Sequence, residues 1–106
     1  MKVDYLKIIK STLKSHKIAK NHSISIESFE RNKNYPYSEG IEFESKTFFG
    51  KIFMYFGTMK YLEIEFVIFK TGSDYTLIKD DLNTTELIDA IDQFLTERTI
   101  ELKNVA

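Results

Sequence analysis

Apolar and polar positions along the chain switch between two periods. Leu6, Ile9 and Leu13 recur at helical spacing, and Tyr5 and Ile8 widen the stripe. The lysines fall mostly on other sides, so residues 2–19 are predicted as an amphipathic helix. Asn21, which tolerates a left-handed backbone, is its expected stop. From Ser23 to Phe29 the period drops to two, with Ile24 and Ile26 set between polar residues. Phe29 breaks that alternation, which marks an edge strand or a bulge. Residues 31–38 are polar, hold the only proline, and read as a loop.

Ile41 and Phe43 then alternate with Glu42 and Glu44, as in a half-buried strand. Ser45-Lys46 is a weak turn, and Gly50 signals a bulge or a close backbone approach. Beyond it Ile52, Met54 and Phe56 share one face, and Lys51, Phe53 and Tyr55 the other. Gly57-Thr58 is the next turn. Tyr61 to Phe69 is the clearest strand: Leu62, Ile64, Phe66 and Ile68 face one way, Glu63 and Glu65 the other. Thr71-Gly72-Ser73 joins it to a short last strand, Tyr75 to Ile78.

The second helix carries its own start signal. Asn83 is the cap, Glu86 completes a capping box, and Leu82 and Leu87 occupy the staple positions. Leu87, Ile88, Ile91, Phe94 and Leu95 form its buried stripe. Its expected end lies near Arg98, with residues 100–106 as a tail. The fold class is therefore α+β: an N-terminal helix, a four- to five-stranded antiparallel meander, and a C-terminal helix. One sheet face is rich in Ile, Leu, Met and Phe, and each helix has a single apolar stripe. Both helices are expected on that face, leaving the other wet.

Composition narrows this picture. A chain of 106 residues makes one domain, 1–106. Fifteen aromatics, nine Phe and six Tyr, give an unusually aromatic chain. There is no cysteine, which removes disulfides, thiolate metal sites and cysteine nucleophiles. No continuous apolar run follows the basic start, so no signal peptide is expected. The richest stretch, Phe48 to Phe56, is broken by Gly50 and Lys51 and is far shorter than the ~20 residues of a membrane-spanning helix. The expectation is a cytoplasmic protein without membrane contact.

Charge is divided unevenly. Residues 1–20 carry six lysines against Asp4, a sum of +5, while residues 21–106 sum to −6. Either the two parts attract each other within the fold, or one of them meets a charged partner.

Catalytic and metal-binding signatures are sparse in the chain. His16 and His22, six apart, match no helical face and read as surface histidines, so no metal or other cofactor is expected. No serine sits in a nucleophile elbow and no phosphate loop is present. The paired carboxylates Glu42/Glu44 and Glu63/Glu65 each share a strand face. They read as solvated faces rather than as a glycosidase pair. The lysine-rich first helix has only Tyr5 as aromatic company, and the acidic remainder repels phosphate, so direct nucleic-acid binding is not expected. A small RNA-processing enzyme using His16, Lys17 and His22 is the enzymatic alternative; the preferred reading is not an enzyme.

The outward sheet face draws most weight. Tyr61, Glu63, Glu65, Val67 and Phe69 face away from the core, with Phe53 and Tyr55 beside them and Glu42 and Glu44 on the neighbouring strand. Lys51 can pair across to an acid. Aromatics are enriched at interfaces and acids steer basic partners. The structural alternative is that cross-strand aromatic pairs merely hold the sheet together.

The run Phe49-Gly50-Lys51-Ile52-Phe53, the aromatic stretch Tyr55 to Gly57, the acidic strand Leu62 to Glu65 and the capped helix after Asn83 resemble the small immunity proteins of bacterial polymorphic-toxin and contact-dependent inhibition systems. The TriTu-type family is nearest in layout, over roughly residues 40–98. The resemblance implies an inhibitor that binds one cognate toxin, often a basic nuclease domain, and blocks its active site, as monomer or homodimer. Phe53, Tyr55, Tyr61, Glu63, Glu65, Glu42, Glu44 and Phe69 are the expected partner-binding residues. The alternative is an acidic protein-binding module such as a secretion chaperone.

Overall fold

A computed structural model describes residues 3–31, 33–34 and 36–105. The elements run α1 (Tyr5–Ser15), α2 (Lys17–Asn21), β1 (Ser25–Phe29), β2 (Ser38–Glu44), β3 (Phe48–Phe56), β4 (Lys60–Ile68), β5 (Ser73–Asp80) and α3 (Thr84–Asn104). The strands form one antiparallel sheet in chain order, β1-β2-β3-β4-β5. The α+β fold expected from the sequence is therefore present, with five strands and the helices packed on the sheet.

The inner face is built by the alternation already visible in the chain. Ile41 and Phe43, Ile52 and Met54, and Leu62, Ile64, Phe66 and Ile68 are buried together with Ile9, Leu13 and Ile18 of α1–α2 and Leu87, Ile91, Phe94 and Leu95 of α3. An aromatic cluster lies at its centre. Phe48 stacks on Phe66 at 5.1 Å, with Phe43 and Phe94 at 6.2 and 6.4 Å from the Phe66 ring. Gly50 is a close approach and not a bulge: it pairs in register with Phe43, whose ring occupies the space a β-carbon would need.

Several boundaries differ from the sequence reading. The first helix is not continuous over 2–19. It starts after Asp4, whose Oδ1 accepts from the Lys7 amide at 3.0 Å, and it breaks at His16. There the backbone is extended, and the ring Nδ1 caps α2 by accepting from the Ile18 amide at 3.0 Å. Lys2, within the expected helix, lies outside the described residues, as do Asn32 and Tyr35 of the expected loop and Ala106 of the expected tail. β1 is an edge strand, in keeping with the irregularity at Phe29. The loop expected over 31–38 gives up Ser38 to β2. β5 extends beyond Tyr75–Ile78 at both ends.

The capping box of α3 is present: Asn83 Oδ1 accepts from the Glu86 amide at 2.8 Å, and Glu86 returns the bond at 3.0 Å. The helix does not end near Arg98 but runs to Asn104, because Thr99 and Leu102 continue the buried stripe. Ile88, placed on that stripe by its spacing, is instead 39 % exposed.

Candidate binding face of the sheet

Strand parity and the observed register fix what the outer face displays. Four rows cross it. Ser38, Tyr55, Tyr61 and Asp80 make the first. Phe29, Gly40, Phe53, Glu63 and Ile78 make the second, and Glu27, Glu42, Lys51, Glu65 and Thr76 the third. Ser25, Glu44, Phe49, Val67 and Asp74 make the fourth. Seven carboxylates (Glu27, Glu42, Glu44, Glu63, Glu65, Asp74 and Asp80) thus share the face with one cation, Lys51. No described helix lies over it, since the helices occupy the opposite side.

Its aromatic residues are organised. Tyr55 and Tyr61, directly opposite each other, stack at 4.9 Å and 29°, and the exposed Tyr37 ring lies 6.4 Å from Tyr55. Phe29 and Phe53 lean together at 6.4 Å across Gly40, where a β-carbon would strike the Phe53 backbone. Lys51 Nζ sits over both rings, 5.3 and 5.1 Å from their centroids. The lysine expected to pair with an acid therefore rests on aromatic faces, with carboxylates opposite it in the register on both sides.

Electrostatic crowding shows at Glu63. Burial, the charge of Glu65 and a hydrogen bond with Glu65 push its carboxyl above the ordinary range, against an opposing pull from Lys51. Tyr61 is pushed up as well, by burial first and then by Glu63 and Tyr55.

Seven of the eight expected partner-binding residues share this face: Phe53, Tyr55, Tyr61, Glu63, Glu65, Glu42 and Glu44. Phe69 does not. It follows the end of β4 in the turn to β5 and lines a cleft with His22, Lys46, Ile68, Leu102 and Val105 at the end of the sheet. Its amide donates to the Thr47 carbonyl at the end of the β3–β4 ladder, and the Gly72 amide closes the turn on the Ile68 carbonyl at 2.9 Å. Phe29, Glu27, Asp74, Ile78 and Asp80 were not anticipated on the face. Parity within β1 was the available signal for the first two; the polar β5 gave no comparable alternation.

The histidines do not converge. His16 is buried, not on the surface. Its Nε2 lies 3.0 Å from Thr96 Oγ1, whose own proton goes to the Asp92 carbonyl, so the ring nitrogen is the donor. Burial lowers the basicity of His16, partly offset by Asp92. His22 instead packs edge-on against Phe48 at 5.2 Å, and Lys17 is exposed. Among the described residues no group of three His, Asp or Glu side chains is placed to hold a metal ion, and no helix is long and apolar enough to cross a membrane.

The lysines of α1 and α2 form no ion pair with an acid among the described residues; the ion pairs seen there are Arg98–Glu97 and the longer His16–Asp92 contact. Arg98 was a helix end in the sequence reading. It is a packed residue, lying 4.0 Å over Tyr75 and 4.7 Å over Phe94. No protein-family model, curated protein or solved structure matches the chain.

Proposed function

We propose that this chain is an immunity protein of the cytoplasm, which binds a basic toxin domain through the outer sheet face and occludes its active site. One observation carries the reading: seven carboxylates and a single lysine on an aromatic face that no described helix covers. A nuclease domain must attract a polyanion, so its working cleft is basic. An acidic face steers such a domain into encounter, and partly exposed tyrosine and phenylalanine rings supply the desolvated anchors that hold it. Strands up to nine residues long in a five-stranded sheet span a face of about 600 Å². That approaches the roughly 800 Å² each partner gives to an interface of standard size. The resemblance in layout to immunity proteins supports the same reading.

Co-expression with the product of the adjacent gene tests it. The expected result is that the neighbour is toxic alone, harmless with this chain, and co-purifies with it. A neighbour that is toxic despite this chain, or that does not co-purify, overturns the proposal. A co-purifying neighbour that is harmless on its own makes the chain a chaperone-like module instead.

A further inference from the structure

We propose that the tyrosine corner of the outer face, Tyr37, Tyr55 and Tyr61 with Glu63, is the seat of an arginine side chain presented by the basic partner. This rests on the binding role proposed above and adds which side chain the partner offers and where it docks.

The chain's treatment of its other rings points to the corner. Lys51 sits over Phe29 and Phe53, Arg31 lies 3.7 Å over Phe56, Lys60 5.1 Å over Tyr5, and Arg98 4.0 Å over Tyr75. Cations on aromatic faces are this molecule's repeated device. Among the described residues no cation lies over Tyr37, Tyr55 or Tyr61. Yet the corner has what such a seat requires. Two rings are stacked at 4.9 Å, a third, Tyr37, is 56 % exposed, and two carboxylates neighbour Tyr61. Asp80 pairs directly with Tyr61 across the β4–β5 ladder, and Glu63 follows Tyr61 by two positions on the same face. Like the site of Lys51, it joins aromatic faces to neighbouring carboxylates, but it holds no cation among the described residues.

Arginine fits better than lysine. A guanidinium lies flat on a tyrosine ring while its edge donates two parallel hydrogen bonds to one carboxylate; an ammonium can do only one of these well. The crowding of Glu63 by Glu65 is relieved by an incoming positive charge, so binding there favours the ionised carboxylate.

The test is a titration of the full chain, followed by NMR, with N-acetylarginine amide and separately with N-acetyllysine amide. The expected result is that the arginine compound shifts the Tyr55 and Tyr61 ring signals before those of Phe29 and Phe53. It should bind about three- to fivefold more tightly than the lysine compound. Glu63→Gln and Tyr61→Leu should each abolish that preference. If Tyr61→Leu loses a folded spectrum, Glu63→Gln decides alone. Equal response to both compounds, or shifts spread evenly over all seven carboxylates, overturns the proposal. Failure here leaves toxin neutralisation standing, and failure of toxin co-expression leaves an arginine preference measurable, so the two readings fall separately.

Discussion

The two faces of the sheet use the same aromatic residues to opposite ends. On the inner face Phe43, Phe48 and Phe66 are surrounded by Ile, Leu and Met and are fully buried. On the outer face Phe29, Phe53, Tyr55 and Tyr61 are only partly buried and alternate with carboxylates. Each face also has a glycine at a close approach: Gly50 under the Phe43 ring inside, and Gly40 against the β3 backbone at Ile52 and Phe53 outside. The inner face gains from removing apolar area from water, which needs no partner. The outer face holds charges that burial would penalise unless a cation arrives with the covering surface. Aromatic content alone therefore does not separate core from interface in this chain; the identity of the cross-strand neighbour does.

The largest expected break in that comparison is Phe66→Ala. It should cost about 3–5 kcal/mol in urea unfolding, against about 1 kcal/mol or less for Phe53→Ala outside. Equal losses would make the outer rings structural and remove the contrast. Gly50→Ala comes next, at about 1–3 kcal/mol, because the added methyl must displace the Phe43 ring. In a Phe43→Leu background the loss should shrink, a coupling that a double-mutant cycle reads directly.

A smaller effect belongs to His16. Burial lowers its folded-state pKa, while the unfolded chain titrates near 6.5, so added protons favour the unfolded state. Stability should be flat above about pH 6.5 and fall as the pH drops through it, because burial disfavours the charged ring. His16→Asn, which can still cap, should flatten that dependence in pH-resolved thermal melts. The smallest effect is Glu63→Gln. The folded carboxyl titrates higher than the unfolded one, so this group favours folding at low pH and opposes it as the pH rises above about 4.5. The substitution should stabilise by less than roughly 1 kcal/mol at pH 7, and the gain should vanish below pH 4.5.

Much of the inner face was legible in the chain. The alternation of Leu62, Ile64, Phe66 and Ile68 and the Asn83–Glu86 box are local signals, and local signals suffice where burial follows the period. The break at His16 was not legible, because a histidine is not among the usual helix caps and its ring is held by Thr96, 80 positions away. β5 runs past Tyr75–Ile78 because an edge strand tolerates Asp74, Lys79 and Asp80, which a central strand would not. Glu97 and Arg98, polar in sequence, look like the end of α3. Arg98 in fact lays its guanidinium across Tyr75 and Phe94, and Leu102 one turn on is buried. The outer face was legible only on the strands whose inner residues were apolar enough to set the parity.

The strand order, identical to the chain order, carries a consequence for how the molecule is made. Each pairing joins chain neighbours, three of the four through connections of three or four residues, so the meander can assemble step by step with little loop-closure entropy as the chain leaves the ribosome. α3 comes last. Until it emerges, Phe66 lacks Phe94 and the inner face is only half roofed by α1. The interval between synthesis of β5 and docking of α3 is therefore when a nascent chain is most exposed to aggregation, and truncation within α3 should yield insoluble protein rather than a smaller folded sheet.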